Sequence, residues 1–292
     1  MNSPEEKVRP RRPRRDTRAP RSTLERGSSI ESVLERRREA DREMMAVLAG
    51  AGAPAAGMPS RVTGELGFVL HCWNWSETSL LIDALTARYG RVFLVARGAR
   101  RPSSQYRGLL TEFCPLKLSW SGRREAKMLS GAEWQGTMQP LTGEALMSAF
   151  YINELVMKLT ERESALPGLF EAYAQALHTL AEGEREAVQP ALRRFEMTLL
   201  GIAGWRPAVT GHASADRFAV REGVFVGIAD PSEAYPGETL YPASAVAALT
   251  RGEPPAENDL RAARDILREL IRFHLDGRAL RSRQILAELR KL

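Results

Sequence analysis

The chain is poor in cysteine, in histidine and in long apolar runs, and each shortage removes a class of protein. Only two cysteines, Cys72 and Cys114, stand in 292 residues, each inside an apolar stretch. That argues against a disulfide-stapled scaffold and for reduced thiols in a core. The four histidines, His71, His178, His212 and His274, are scattered, and no CxxC pair accompanies them, so no metal site is expected. No apolar run reaches the roughly 18 to 20 residues of a membrane span. The N-terminus has charge with no apolar stretch behind it, so no secretory signal is read there. Signatures for phosphate cradling or covalent catalysis are missing as well: there is no GxxxxGK(S/T), GxGxxG, HExxH or GxSxG. Glu77, Asp83 and Glu196 have no carboxylate partner at a spacing that suggests acid–base work. Glu196, set in RRFEM, is expected to pair with Arg193 or another arginine. These absences point to a cytoplasmic, non-enzymatic protein with no cofactor.

What the chain does have is positive charge, and its placement says more than the net of +6. Residues 1–60 carry 13 basic against 9 acidic side chains, residues 61–139 carry 11 against 6, and residues 140–292 carry 18 against 21. Between Arg88 and Lys127 ten basic residues face two acidic ones, Glu112 and Glu125. A basic block beside an acidic one implies a local polyanion site.

Three composition zones follow. Residues 1–60 open on RPRRPRRDTRAPR and close on AGAGAPAAGMPS, with too little apolar surface to fold; they are expected to be a disordered basic extension with a possible short helix between. Over residues 61–139, five strand-like runs lie close together: VTGELGFVLHCWNW, TSLLIDALTA, GRVFLVARGA, GLLTEFCPLKLSWSG and AKMLSGAEWQG. Five strands with no strong helix between most of them predict a small closed barrel of the OB-fold kind, which binds oligonucleotides on one face. After Pro140 the period becomes helical. Thr142 is placed to cap a helix striped by Ala145, Ala149, Ile152, Val156 and Leu159. A second helix follows Pro167, with Phe170, Tyr173, Leu177 and Leu180. A third carries Leu192, Phe195, Leu199 and Ile202 and stops near Gly204. Residues 205–257 form an irregular insert with a possible hairpin in RFAVREGVFVGI, and two helices close the chain. The fold class is thus α+β and multidomain: a five-stranded OB-fold barrel followed by an α-helical domain (140–292).

The basic block begins where a buried strand ends, in GRVFLVARGARRPSSQYRG. Arg97, Arg100, Arg101 and Arg107 follow that strand, with Gly98, Ser103 and Ser104 between them to admit a phosphate backbone and donate to it. Arg88, Arg91, Lys117, Arg123 and Arg124 reinforce the block, together with Lys127. Tyr106, inside the loop, is expected to be exposed and able to stack on a base, whereas Trp73 and Trp75 are expected to pack in the core. Nothing encodes readout of base edges, so binding without sequence preference is expected. If six of these cations each met one phosphate of a single strand, log K would fall against log salt with a slope of about −4. On these residues alone, a basic RNA-binding or ribosome-associated OB protein remains the alternative.

The stretches GFVLHCWNWSETSLLIDALTARYGRVFLVARGARRPSS, SAFYINELVMKL, PALRRFEMTLLGIAGWRP and GRALRSRQILAEL, in this order, resemble the bacterial DNA repair protein RecO family. The resemblance spans most of residues 61–292 and leaves the first 60 outside it. It implies a nucleoid-associated recombination mediator that binds single- and double-stranded DNA and anneals complementary strands without ATP. It further implies action with RecR to load RecA onto DNA coated by single-stranded-DNA-binding protein. Some members carry a four-cysteine zinc module after the RRFE helix; here residues 204–228 hold His212 and no cysteine, which argues against zinc. The family also binds the acidic, apolar C-terminal tail of the coating protein. Such a tail needs an apolar groove edged by a cation. Arg193 beside the Leu192/Phe195/Leu199 stripe fits that need, as does Arg261, with Arg194 the nearest competitor to Arg193.

Overall fold

The structure, a computed structural model, describes residues 58–135 and 139–289. The basic extension and its possible short helix therefore lie outside the described residues, apart from the last few positions before Arg61.

Five strands close into a barrel in the order β1-β2-β3-β5-β4: β1 (Arg61–Trp75), β2 (Ser79–Thr86), β3 (Gly90–Ala96), β4 (Pro115–Ser121) and β5 (Ala126–Trp134). All neighbouring pairs are antiparallel except β3 and β5, whose parallel contact closes the ring. β1 is long enough to serve both β2 and β4 because it bends at two irregularities, between Val62 and Glu65 and between Val69 and His71. Gly64, at φ 65°, provides the first bend at a backbone conformation that side chains resist.

Burial along the strands shows which faces are covered. β4 alternates, with Leu116, Leu118 and Trp120 inside and Lys117 on the surface. β3 is buried at every residue and β2 at all but Leu80. A strand buried on both faces needs a second layer outside the barrel. The helical domain supplies it.

Among the described residues six α-helices follow: α1 (Gly143–Leu159), α2 (Leu169–Ala181), α3 (Arg185–Ile202), α4 (Ala243–Arg251), α5 (Leu260–His274) and α6 (Arg281–Leu289). The predicted stripes pack as expected: Ala149, Ile152, Val156 and Leu159 of α1, Tyr173, Leu177 and Leu180 of α2, and Leu192, Phe195 and Leu199 of α3 are all buried. Thr142 does stand at the N-cap of α1, but its side chain makes no capping bond. The interval read as irregular is more ordered than expected. It holds a four-stranded sheet in the order β6-β8-β7-β9 (Val209–Gly211, Val224–Ile228, Arg217–Arg221, Tyr241–Pro242) and the helix α4. The hairpin anticipated in RFAVREGVFVGI is β7–β8.

The helical core reaches onto the barrel, where Phe68, Leu70 and Leu85 join Ile152, Val156 and Tyr173 in one apolar cluster. Asn153 donates to the Leu70 carbonyl at 2.7 Å, and Tyr173 donates to Asn153 at 2.7 Å, so polar groups in the joint are satisfied. Among the described residues no helix is long and apolar enough to cross a membrane.

Candidate nucleic-acid interface and tail pocket

The loop after β3 caps one end of the barrel. Ala99, Tyr106 and Leu110 are buried in the barrel core and anchor it, while Arg97, Arg100, Arg101 and Arg107 between them are exposed. Successive turns hold the loop's shape: Arg101 N donates to Gly98 O, Ser104 N to Arg101 O, and Arg107 N to Ser104 O. Arg100 N also donates to Thr78 O at 2.8 Å, tying the loop to the β1–β2 turn. None of these four arginines has an acidic partner within 4 Å among the described residues. Four unpaired guanidiniums on an anchored loop attract polyanions strongly, since no local carboxylate offsets their charge.

The other predicted contacts divide. Lys117, Arg123 and Arg124 are exposed, the first on the outer face of β4 and the others on the β4–β5 turn. Arg88 is exposed, but its Nε donates to Glu65 at 2.6 Å, and this bond holds its guanidinium above its usual pKa. Arg91 must be corrected. It is 6 % exposed and grips Asp83 through Nε at 3.0 Å and Nη2 at 2.7 Å. Its Nη1 donates to the carbonyls of Met157 and Thr160, both at 2.6 Å, where α1 ends. It is a joint residue and does not reach the surface. Lys127 is likewise buried, paired with Glu163. Tyr106 is corrected too: at 9 % exposure it anchors the loop and presents no ring to a base. Trp73 and Trp75 are half-buried rather than in the core. The most open indole is one the sequence reading did not single out, Trp134, 58 % exposed at the end of β5. Its only sequence signal was a tryptophan in the last position of a strand.

The barrel face that OB folds generally offer to oligonucleotides is the outer surface of β2 and β3. Here it is closed. The segment following α1 lies across it, with Glu163 N donating to Arg91 O at 2.7 Å and the Arg162 guanidinium 4.3 Å above the Phe93 ring. Gly90 permits the approach, because a Cβ there would fall 2.0 Å from the Ser164 carbonyl oxygen. Arg162 also bonds Asp83 and, at 2.8 Å, Glu125.

Cys72 is partly buried against the barrel core and Cys114 is half-buried; both are free. Burial, then the nearby Glu112 charge, pushes the Cys72 thiol up to about 12, so it stays protonated and unreactive.

In the helical domain, Arg193 and Glu196 form the pair the RRFE run suggested, with Nη2 to Oε1 at 2.8 Å, and both are almost wholly buried. Tyr151 donates to the same carboxylate at 2.5 Å and accepts from Arg283 at 2.7 Å. Burial, together with the Glu196 charge, holds the Tyr151 phenol well above its usual pKa. Arg193 Nη1 is buried with no hydrogen-bond partner among the described residues. Arg193 lines a pocket of about 150 Å³ together with Met147, Leu192, Arg264, Arg268 and Arg283. Arg261 is exposed and outside this lining; Arg264 and Arg268, three and seven residues further along α5, line the pocket instead. Arg194, the next residue along α3, instead lines a separate apolar groove with Pro190, Ala191 and Phe195.

Comparison with known proteins finds relatives over most of the chain. Residues 62–138 match the family described as Recombination protein O N terminal, and residues 140–284 match Recombination protein O C terminal. A DNA repair protein RecO of Aromatoleum aromaticum is 40 % identical over 244 residues, covering 80 % of this chain and 98 % of that one. Those of Burkholderia pseudomallei (39 % over 279 residues, 87 % and 98 % covered) and Ralstonia nicotianae (38 % over 252 residues, 82 % and 90 % covered) are similarly related.

Proposed function

Because the chain belongs to the RecO family of DNA repair proteins, we propose that it acts as a recombination mediator that binds and anneals DNA without ATP. Sequence-independent contact with single and double strands falls to the barrel's cations. The observation that carries the reading is the anchored loop, whose Arg97, Arg100, Arg101 and Arg107 are exposed and without acidic partners among the described residues. Phosphates bound there lose part of their mutual repulsion, which lowers the barrier to bringing complementary strands together. Trp134 offers a ring on which an unpaired base can stack.

The helical domain supports the second half of the reading, which is docking on the C-terminal tail of the single-stranded-DNA-binding protein. The tail's carboxylates suit a pocket edged by Arg264, Arg268 and Arg283, with Arg193 buried in its lining. RecR joins the complex to load RecA in this scheme. The test is annealing of complementary strands coated with the cognate coating protein, followed by strand-labelled fluorescence without ATP. Acceleration that is lost when the coating protein's tail is deleted is expected. No acceleration on coated or bare strands would remove the reading and favour the RNA-binding alternative, which a matched-salt comparison of RNA and DNA would then decide.

A further inference from the structure

The exposed cations of the barrel do not form one face. β1–β2 and β2–β3 are antiparallel, so the β1–β2 turn and the loop Arg97–Arg107 share one end of the barrel. β5 runs parallel to β3 and begins beside Phe93, so the turn carrying Arg123 and Arg124 lies toward the opposite end, level with the start of β3. Arg61 opens β1 at that same end, paired in register with Ser121. Along β3 the two groups are about 20 Å apart, six residues at roughly 3.3 Å each. That is about twice the Debye length of 8 to 10 Å at physiological salt, so each group attracts phosphates with little help from the other.

The surface between them along β3 cannot seat a phosphate chain. Arg91, Phe93 and Val95 are buried, and the segment after α1 lies over the first two. Its polar groups are already spoken for: Asp83 binds Arg91 and Arg162, and Arg162 binds Glu125. Those same bonds stiffen the far turn. Glu125 is held from the helical domain, and Lys127 Nζ donates to the Arg124 carbonyl at 3.1 Å. Arg123 and Arg124 are thus two exposed cations on a fixed turn, with no acidic partner of their own among the described residues.

We propose that the barrel holds two separate single-strand sites, one at the Arg97–Arg107 loop and one at the Arg61/Arg123/Arg124 end, and that it bridges two strands across its covered face. The proposal rests on the DNA-binding reading above and replaces a shared groove with a tether. A strand held at one end keeps the second within a few nanometres, raising its effective concentration without aligning the two on the protein.

Native mass spectrometry with short non-complementary thymidine oligonucleotides counts strands per protein, and energy transfer between two differently labelled oligonucleotides reports bridging. The full chain is expected to bind two strands per copy and to give transfer. The R97E/R101E and R123E/R124E variants, each with an unchanged melting temperature, are expected to bind one strand apiece and to give no transfer. R97Q/R101Q and R123Q/R124Q serve in their place if charge reversal disturbs folding. One strand per copy in the full chain, as a strand wrapped round β4 through Lys117 would give, overturns the proposal. So does transfer that survives in either variant, or loss of both strands from one of them. A full chain that binds no oligonucleotide at all sinks the DNA-binding reading itself, a result distinct from the other three.

Discussion

Asp83 is the test of whether the barrel and the helices form one joint. Its carboxylate is 1 % exposed and accepts from two guanidiniums: Arg91 at 3.0 and 2.7 Å, and Arg162 at 3.2 and 3.1 Å. Asp83→Asn preserves the shape and removes the charge. Whichever way the amide turns, an NH2 group must face an N–H donor, and the Arg91 charge is left buried without an anion. Removing one partner of a buried ion pair is worth about 3 to 5 kcal/mol. For a folded region of this size that corresponds to a fall in Tm of roughly 10 °C. A double-mutant cycle sharpens the test. Asp83→Leu with Arg91→Met deletes both charges, so the pair should recover much of the loss seen in Asp83→Leu alone. The recovery will be incomplete, because Arg91 also donates to the last carbonyls of α1 and Arg162 loses a partner.

Thermal melting and urea titration of Asp83→Asn and of the four proteins of the cycle measure these terms directly. The double variant, once shown to be folded, should also bind single-stranded DNA with an unchanged salt slope, because Arg91 is not at the surface. A loss below about 1 kcal/mol for Asp83→Asn would place the pair in the weak, solvated class and refute the buried joint. A salt slope that falls by about 0.7 on losing Arg91 would return that residue to the DNA interface.

The remaining predictions address the loop, its anchor and the far side of the helical domain. Replacing Arg97, Arg100, Arg101 and Arg107 by Gln should reduce the magnitude of the single-strand salt slope by about 3, at roughly 0.7 per phosphate contact. Anisotropy titrations between low and moderate salt read that change, and an unaltered slope would show that the loop meets no phosphate. Tyr106→Ala should lower stability by about 3 kcal/mol, because it empties a buried aromatic site, while Tyr106→Phe should leave both stability and DNA affinity nearly unchanged; a selective loss of affinity in the Phe variant would contradict its role as an anchor. His274, stacked 4.4 Å from the Trp205 ring, has its pKa lowered by burial, and its Nε2 has no hydrogen-bond partner among the described residues. The folded state therefore prefers the neutral ring, so this contribution is complete above the unfolded value of about 6.5 and is lost as pH falls through the folded pKa. His274→Gln should flatten the pH dependence of Tm in that acidic window, and a dependence that persists unchanged would assign it elsewhere.

Much of this was legible in the chain because burial patterns follow from what each face touches. The alternation in PLKLSWS marked β4 as half-solvated, and the unbroken VFLVA marked β3 as covered on both sides. The sequence could not say what covered β3, since the segment that does so, Thr160–Ala165, is itself polar and lies 70 residues away. The same gap explains the arginines. Arg91 and Arg97 look alike in sequence, but the pleat sends Arg91 outward from the barrel onto Asp83 and the end of α1, while Arg97 leaves the sheet altogether. A basic, Ser-rich stretch gives no sign that Tyr106 is buried, whereas a loop capping a barrel needs apolar pegs. α4 escaped notice because ASAVAALTR is a short run of small residues between Pro- and Gly-punctuated stretches, too brief for its period to show. Arg264 and Arg268 could have been found, for they repeat Arg261 at helical spacing on α5.

The covered face also constrains how DNA can be handled. An OB barrel that uses its β2–β3 surface for a strand holds it along several nucleotides and competes directly with any other protein on that strand. This barrel has exchanged that surface for a joint with the helices, and it keeps exposed cations mainly on loops at its two ends. On the two-site proposal each end reaches only a few phosphates, so binding at either would be weak and strongly salt-dependent, and affinity would come from using both at once. Weak contacts of this kind would suit the annealing proposed above, whose product is a duplex. A site that gripped one strand along its bases would have to be undone before pairing, whereas phosphate contacts at two ends leave the bases free to find each other and release the product when salt competes. The corollary is measurable: raising salt should suppress annealing with a steeper slope than binding of one strand, because annealing needs both ends occupied. Equal slopes for the two would mean that a single end suffices.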